Sequence, residues 1–424
     1  MSRRKNFNPY GDNILIKDLG PILDRDQVYK RLLTVPSVPT EITRARKLER
    51  LHHLMSSLLD LHIPSLESVR IYETIDLHLR QSYRYRDPAT AKAWQQINGE
   101  PNIAFNHRSP AMASAVVGNS GTGKTETILR TLEMYPHQVI THKKFPNLVG
   151  QHHQVAWLSV DAPSSGKSAD LAENLMIAWD NLLEQNVPNY IPRFTDSLAR
   201  TKRDGLRMLN EWRQVALTGW LGFLHMDEVQ NYFKLATLKQ RRNNQRDEKP
   251  SELSIVEDQC LKWILSFLNT AQIPVMFSGT LDGIGALTKR LSTTQRISTG
   301  GYHKLLTFTS SNLNAWEIFF ETLLNYQYVK HPISDPEQLS KLILELTAGV
   351  PRIIIALWFA AHRVAFERRE DSLKLEDFEK ASNTLMAPLK PAIAALNSGD
   401  PEKMSRFDDL LPRDDGVWSS FWLP

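Results

Sequence analysis

A glycine-rich segment in the first third of the chain constrains the fold more than any other feature. Residues Gly118 to Thr125 read GNSGTGKT and fit the pattern G-x-x-x-x-G-K-[S/T]. An apolar run, Ala113 to Val117, precedes this segment, and an amphipathic stretch, Thr125 to Tyr135, follows it. A glycine-rich turn between a strand and a helix is the usual context of a phosphate-binding loop. The flanking pattern favours that interpretation over a simple turn.

The loop predicts its own chemistry. Glycines let the backbone curl so that its N–H groups and the helix N-terminus face phosphate oxygens. We expect Lys124 to reach the β- and γ-phosphates and the Thr125 hydroxyl to be a magnesium ligand. The predicted cofactors are therefore ATP and Mg²⁺. The predicted nucleotide-binding residues are Gly118, Asn119, Ser120, Gly121, Thr122, Gly123, Lys124 and Thr125.

A second apolar run, Trp220 to Met226, ends in two carboxylates, Asp227 and Glu228. At the end of a neighbouring strand, Asp227 could hold Mg²⁺ and Glu228 could orient or deprotonate the attacking water. Apolar strands often end in an acidic residue, so this pair alone is weak. Its position about a hundred residues after the loop, within an alternating strand and helix pattern, favours a catalytic role.

Further candidates lie downstream. The apolar run Ile273 to Phe277 leads to Ser278 and Thr280, whose hydroxyls could sense the γ-phosphate. Arginines follow: either Arg290 or Arg296 could be supplied to a neighbouring subunit, and Arg352 could act from a helical lid. Such residues neutralise charge that develops on a transferred phosphoryl group. A solvated surface position is the alternative for each arginine.

The element pattern predicts an α/β fold with a five-stranded parallel sheet. The predicted strands are 113–117, 155–160, 221–226, 275–278 and 305–308, with helices between them and only helices after residue 310. We expect an N-terminal helical extension at 1–102, a nucleotide-binding domain at 103–310, a helical lid at 311–390, and a linker with an acidic, aromatic tail at 391–424.

Composition limits the partners and the compartment. The net charge of +4 leaves no large basic excess, so any DNA contact must come from local patches. A single cysteine excludes an internal disulfide, and no apolar stretch follows the basic start, so we expect a cytoplasmic protein. The uncharged run Trp263 to Leu281 is interrupted by polar residues and Pro274, which predicts a helix end and a buried strand rather than a membrane span.

Taken together, these motifs resemble those of the AAA+ ATPases, over about residues 103–388. Within that family the chain is similar to the transposition regulators of the TnsC, TniB and MuB group. The similarity to this group rests on the strand IPVMFSGT at 273–280, on DAPSSGK at 161–167, and on a small lid followed by the acidic tail. Carried over by position, the family's nucleotide residues fall on Lys124, Thr125, Asp227, Glu228, Thr280, Arg296 and Arg352.

The resemblance implies an ATP-bound ring or helical filament on duplex DNA that recruits a transposase at a site chosen by a target selector. Hydrolysis of ATP is then expected to disassemble it. The family's DNA contacts point to Lys167. Segment 234–249 is rich in basic residues, among them Arg241 and Arg242, and is either a solvated loop or a second DNA contact.

The tail suggests a partner peptide. Phe407, Trp418, Phe421 and Trp422 lie among acidic residues after a proline-containing linker. Such a tail could fold back on its own lid, or could insert its aromatic side chains into a pocket of a partner. Two other functions remain open at this point, a replication-initiator or clamp-loader-like ATPase and a signalling ATPase that binds only proteins.

Overall fold

The computed structural model describes residues 9–98, 112–200, 204–234, 254–255, 258–281, 283–284, 300–308, 313–400 and 403. Contacts divide the chain into two compact units. The first comprises Met1–Asp24, Glu67–Val117 and Thr125–Lys304, and the second comprises Arg25–Leu66, Gly118–Lys124 and Leu305–Pro424.

A five-stranded parallel sheet organises the first unit, in the order β4-β5-β8-β1-β9. Every residue of β1, β5 and β8 is buried. Burial on both faces explains why these strands are mostly apolar rather than alternating between apolar and polar residues. The strands are β1 Ala113–Val117, β2 Val139–His142, β3 His152–Val155, β4 Trp157–Asp161, β5 Phe223–Asp227, β6 Phe233–Lys234, β7 Ser254–Ile255, β8 Val275–Gly279 and β9 Tyr302–Lys304.

Helices accompany the sheet and make up most of the second unit. In the first unit α7, α9 and α10 contact one another, and the buried Trp212 ring lies 6.4 Å from Trp179 and 6.2 Å from Trp263. The helices are α1 Ile14–Lys17, α2 Arg25–Leu32, α3 Lys47–Asp60, α4 Leu66–Tyr85, α5 Ala91–Asn98, α6 Lys124–Leu132, α7 Ser168–Asn186, α8 Thr195–Leu198, α9 Gly205–Thr218, α10 Asp258–Thr270, α11 Leu313–Leu324, α12 Pro336–Thr347, α13 Pro351–Phe366, α14 Leu375–Asn383 and α15 Lys390–Ser398.

The end of α4 is bonded to the segments that lead into the sheet. The Tyr83 hydroxyl donates to the carbonyl of Trp220 (2.9 Å), two residues before the Gly222–Phe223 entry to β5. Ser82 donates to the carbonyl of Gln272 (2.9 Å), just before β8. These bonds satisfy backbone carbonyls at the points where the chain enters the buried sheet. They connect α4 to the rest of the first unit.

The second unit has its own core, formed by α3 with α11 to α15. Arg50 of α3 is buried there and pairs with Asp371 through two hydrogen bonds of 2.9 and 2.7 Å. The guanidinium also donates to the carbonyl of Tyr328 (2.9 Å) and lies 4.8 Å from the centre of the Phe366 ring. The pair therefore fixes α3 to the carboxyl-terminal helices.

The predicted α/β fold class with five parallel strands is confirmed. The fifth strand was predicted at the wrong place, because β9 is Tyr302–Lys304 rather than 305–308. Residues after Lys304 belong to the second unit. There the N–H of Phe308 donates to the carbonyl of Gly349 (2.9 Å). The helix before β8 begins at Asp258, and Ser254–Ile255 ahead of it pair with Phe233–Lys234.

Within the described ranges no single helix is both long and apolar enough to cross a membrane. The bent pair α12 and α13 meets that criterion by length and composition together.

The Arg50–Asp371 pair yields a stability prediction. Burial raises the pKa of Asp371, but the bonds from Arg50 and from the Lys330 N–H outweigh it, so the net pKa lies below its ordinary value. A carboxylate with a depressed folded-state pKa stabilises the fold above its unfolded pKa of about 4 and loses this effect as pH falls through the folded value. We expect Arg50→Leu to cost about 3–5 kcal/mol in urea unfolding near pH 7, because it leaves the carboxylate without its main partner.

The penalty of Arg50→Leu should shrink as the pH falls below about 4. The double variant Arg50→Leu/Asp371→Leu should be more stable than the single variant at pH 7. Arg44→Leu, which removes an exposed arginine paired with Glu41, is the matched control and should change little. An Arg50→Leu penalty independent of pH would contradict the role given to Asp371.

Candidate functional site: a glycine-rich loop beside a strand-end carboxylate

The predicted phosphate loop joins β1 to α6. Gly121 has a φ of +81°, in the left-handed region where residues other than glycine are strained. The Lys124 ammonium donates to the carbonyls of Gly118 (2.9 Å) and Asn119 (3.0 Å). Thr122 donates to the same Asn119 carbonyl through its hydroxyl (2.9 Å). The lysine is nine-tenths buried. Its ammonium is bonded to the backbone of the loop that precedes it.

Close packing requires glycine at the beginning of this loop. A Cβ atom at Gly118 would lie 2.4 Å from the carbonyl oxygen of Leu305, which is far inside van der Waals contact. A Cβ atom at Gly121 would lie 3.1 Å from the Cβ of Arg352, and the Arg352 N–H donates to the Gly121 carbonyl (3.2 Å). Arg352, predicted as a lid arginine, therefore lies beside the loop, at the first turn of α13.

The residue after the loop contacts the predicted magnesium carboxylate. The Thr125 hydroxyl donates to one carboxylate oxygen of Asp227, at the end of β5. The other oxygen accepts from the hydroxyl of Ser278 on β8 and from the N–H of Glu228 (2.8 Å). Burial raises the pKa of Asp227, but His225 and these hydrogen bonds outweigh it, so the net pKa lies below its ordinary value. Asp227 is therefore an ionised, oriented carboxylate.

A chain of hydrogen bonds through His225 supports this carboxylate. His225 is fully buried on β5, with Nε2 2.7 Å from the Ser278 hydroxyl and Nδ1 2.8 Å from the Ser159 hydroxyl of β4. Burial lowers the pKa of His225, against the opposing charge of Asp227. Because Ser278 gives its proton to Asp227, His225 donates from Nε2 and accepts at Nδ1 from Ser159. Three adjacent strands thus contribute to one directed chain.

Glu228, the predicted catalytic carboxylate, adopts a left-handed backbone conformation with a φ of +54°. Its side chain accepts a hydrogen bond from the Gln230 amide. The side-chain oxygen of Gln230, Oε1, accepts from the backbone N–H of Thr280 (3.2 Å). The Gln230 side chain therefore bridges the Glu228 carboxylate and the end of β8. The Thr280 hydroxyl accepts from the N–H of Gly283 (3.3 Å), whereas Ser278 is the hydroxyl that contacts Asp227.

These residues fit a magnesium nucleotide. Across the described residues, no group of three or more His, Cys, Asp or Glu side chains converges on a metal position. Magnesium bound together with phosphates needs only one or two protein ligands and prefers oxygen. Thr125 and Asp227 place a hydroxyl and a carboxylate side by side, next to a loop that ends in a lysine. They are the residues that could hold the metal.

The remaining predicted residues are separate from this cluster or undescribed. Lys167 is exposed and directly precedes α7, where its carbonyl accepts the N–H of Leu171 (3.0 Å). The other predicted residues fall outside the described residues, namely Arg296, Arg241, Arg242, Phe407, Trp418, Phe421 and Trp422.

Sequence reasoning overlooked three residues of this site, His225, Gln230 and Ser159. A signal for His225 was available, since it is the one polar side chain in the apolar run 220–226. A polar residue inside a buried strand needs a partner on a neighbouring strand. The partner's identity depends on strand register, in which Ser159 lies directly opposite His225. Register across a parallel sheet is not contained in either strand alone.

Residues 107–284 match the family model of the AAA domain. The match spans β1, the loop, the Asp227–Glu228 pair and β8, whereas Arg352 lies outside it. The chain matches no curated protein sequence.

The chain also aligns with solved structures. A Walker-type ATPase of Pyrococcus abyssi is 12% identical, with a TM-score of 0.39 over 76% of this chain and 75% of that one. The Aeropyrum pernix Orc1 protein in complex with DNA is 15% identical, with a TM-score of 0.40 over 82% and 76%. The Drosophila origin recognition complex bound to DNA is 12% identical, with a TM-score of 0.40 over 91% of this chain and 75% of that one. Similarity at this level assigns no function to any residue.

The His225 chain yields a prediction about coupling. Replacing a buried hydrogen-bonded group leaves its partners unsatisfied and costs about 1–3 kcal/mol. We expect both His225→Leu and Ser278→Ala to destabilise the protein in urea unfolding. Because both break the same chain, the double variant should lose less than the sum of the two single losses.

The exposed His137 provides the matched control, and His137→Leu should leave the unfolding midpoint unchanged. Strictly additive losses for the His225 and Ser278 variants would show that the two side chains act independently.

Proposed function

We propose that this chain is an ATPase that assembles on duplex DNA in the ATP-bound state, recruits a transposase there, and is released by hydrolysis. The observation that carries the ATPase part is the contact between Thr125 and Asp227 at the end of the glycine-rich loop. It joins a hydroxyl and an ionised carboxylate where the pattern predicts the metal. The resemblance to the transposition regulators carries the DNA and transposase parts.

In this proposal the loop from Gly118 to Lys124 binds the triphosphate through backbone N–H groups and the lysine ammonium. Thr125 and Asp227 would hold Mg²⁺, and the bound ion would offset the negative charge of the phosphate oxygens. Burial and the chain through Ser278 and His225 keep the Asp227 carboxylate in one orientation. The Asp227 carboxylate is therefore oriented before a metal binds, which is the advantage of a preorganised site.

Glu228 is the residue that orients or deprotonates the attacking water. Its carboxylate accepts from Gln230, which also accepts from the N–H of Thr280 at the end of β8. Gln230 thus sets where the carboxylate points. Arg296 from a neighbouring subunit and Arg352 beside the loop are the proposed cations that balance charge on the transferred phosphoryl group. An arginine supplied in trans makes turnover depend on assembly.

The proposed partners follow from the same resemblance. They are duplex DNA bound without sequence preference, further copies of this chain in a ring or helical filament, a transposase and a target selector. Lys167 and the Arg241–Arg242 segment are the proposed DNA contacts, and the aromatic tail with Trp418 and Trp422 is the proposed transposase-docking segment. Contacts to the phosphate backbone alone carry no sequence information.

Two variants separate binding from hydrolysis. Lys124→Ala removes the cation that reaches the phosphates, so we expect loss of ATP binding and of ATP-dependent retention of a duplex on a filter. Glu228→Gln keeps the binding residues and removes the base, so we expect ATP binding, turnover lowered at least about 100-fold, and prolonged retention on DNA. Stimulation of strand transfer by the transposase should be absent in the first variant.

The exposed Lys92 supplies the control, and Lys92→Ala should behave as the wild type in all three assays. Rapid turnover by Glu228→Gln would remove the base assignment. A wild-type protein that hydrolyses ATP but retains no duplex would leave an ATPase of another class. DNA retention without any effect on strand transfer would reject the transposition role.

A further inference from the structure

The first unit contains a hairpin that is not part of the proposed site. Strands β2 and β3 pair in antiparallel fashion, with Val139 opposite Val155 and His142 opposite His152. Residues 143–151 form the connecting loop. The segment from residue 134 to residue 160 contains no Asp or Glu, and it includes Lys143 and Lys144 together with four histidines. It is a long acid-free stretch in a chain that is nearly neutral overall.

The loop is anchored on its inner side. The Phe145 ring is buried and lies 4.4 Å from the ring of His152 and 5.7 Å from that of Trp220. The Asn147 amide donates to the carbonyl of Pro88 (3.1 Å). At the base of the hairpin, the Gln154 amide donates to the carbonyl of Leu15 (2.9 Å). These contacts give the loop one defined conformation.

The outer side of the same loop is exposed and apolar at its tip. Val149 is fully accessible and Leu148 is 41% exposed, while Lys143 and Lys144 are exposed beside them. Single exposed aliphatic residues are common on protein surfaces. Here two adjacent ones are exposed on a loop whose Phe145 ring is buried against the unit. A partner that covers them removes apolar surface from water.

Charge identifies the kind of partner. Lys143 and Lys144 are the charged side chains of the loop. Burial lowers the pKa of His152, on the adjoining β3, to about 4 and also lowers the pKa of His153, so neither histidine adds much positive charge near pH 7. On the segment that contacts the loop, Asp87 stands next to Pro88, and its carboxylate accepts the N–H of Ala89. Lysines flanking an exposed aliphatic tip suit a duplex, where they meet phosphates and the aliphatic groups enter the minor groove.

We propose that the tip of the β2–β3 hairpin, residues 143–149, is a contact for the backbone and minor groove of duplex DNA. The inference rests on the proposed function, and it adds a DNA contact that is distinct from Lys167 and from the Arg241–Arg242 segment. Each lysine that meets a phosphate releases counterions, whereas Leu148 and Val149 contribute through burial of apolar surface. The two pairs therefore leave different signatures.

The experiment measures retention of a labelled duplex of random sequence by the full chain with a slowly hydrolysed ATP analogue, across a range of salt concentrations. Lys143→Ala/Lys144→Ala should reduce the slope of log K against log salt by about two. Leu148→Ser/Val149→Ser should weaken binding and leave that slope unchanged. Lys341→Ala/Lys380→Ala, two exposed lysines of α12 and α14, is the matched control and should change neither quantity.

ATP hydrolysis without DNA and the urea unfolding midpoint should be the same in all variants, which separates a contact defect from a folding defect. If the wild type retains no duplex, the proposed function fails and the inference fails with it. If the wild type binds and the lysine variant keeps the full slope, only the inference is overturned. It is likewise overturned if the variants bind DNA normally but lose self-assembly, transposase capture or binding to anionic lipid vesicles.

Discussion

The hydrogen bond from the Thr125 hydroxyl to the Asp227 carboxylate joins the start of α6 to the end of β5. The rest of the site is arranged around that carboxylate. Ser278 reaches it from β8, and the N–H of Glu228 closes the turn that follows it. Because parallel strands present their carboxyl ends at one edge of the sheet, residues far apart in sequence meet there without long connections. The chemistry is therefore a consequence of strand order.

The polar chain beneath Asp227 is unusual for the interior of a parallel sheet. Ser159, His225 and Ser278 lie on three adjacent strands whose other residues are mostly apolar. A buried polar group is tolerated only when its hydrogen bonds are made, since desolvation is otherwise uncompensated. Each member here has a partner on the next strand, so the chain is tolerated as a unit and specifies the alignment of all three strands.

The sequence was sufficient where local pattern determines structure. The run ASAVV predicted β1 with the correct ends, because a buried parallel strand is a short apolar run between turns. The sequence pattern misplaced β9. The mostly apolar run 305–308 belongs to the second unit, whereas the strand itself is the mixed sequence Tyr-His-Lys. The contact of Thr125 with Asp227 follows from motif and topology together. The role of His225 required strand register, which depends on packing across the sheet.

The backbone of Glu228 has a consequence for how mutations at this site are interpreted. A left-handed conformation costs a residue other than glycine roughly 1–2 kcal/mol. The N–H of Glu228 is bonded to the Asp227 carboxylate, and its carbonyl accepts from Asn231 (2.9 Å). Asp227, the proposed metal ligand, thus also maintains the turn that orients Glu228, the proposed base. A neutral or shortened side chain at Asp227 should change metal affinity and water activation together, so a loss of turnover in such a variant measures two functions at once.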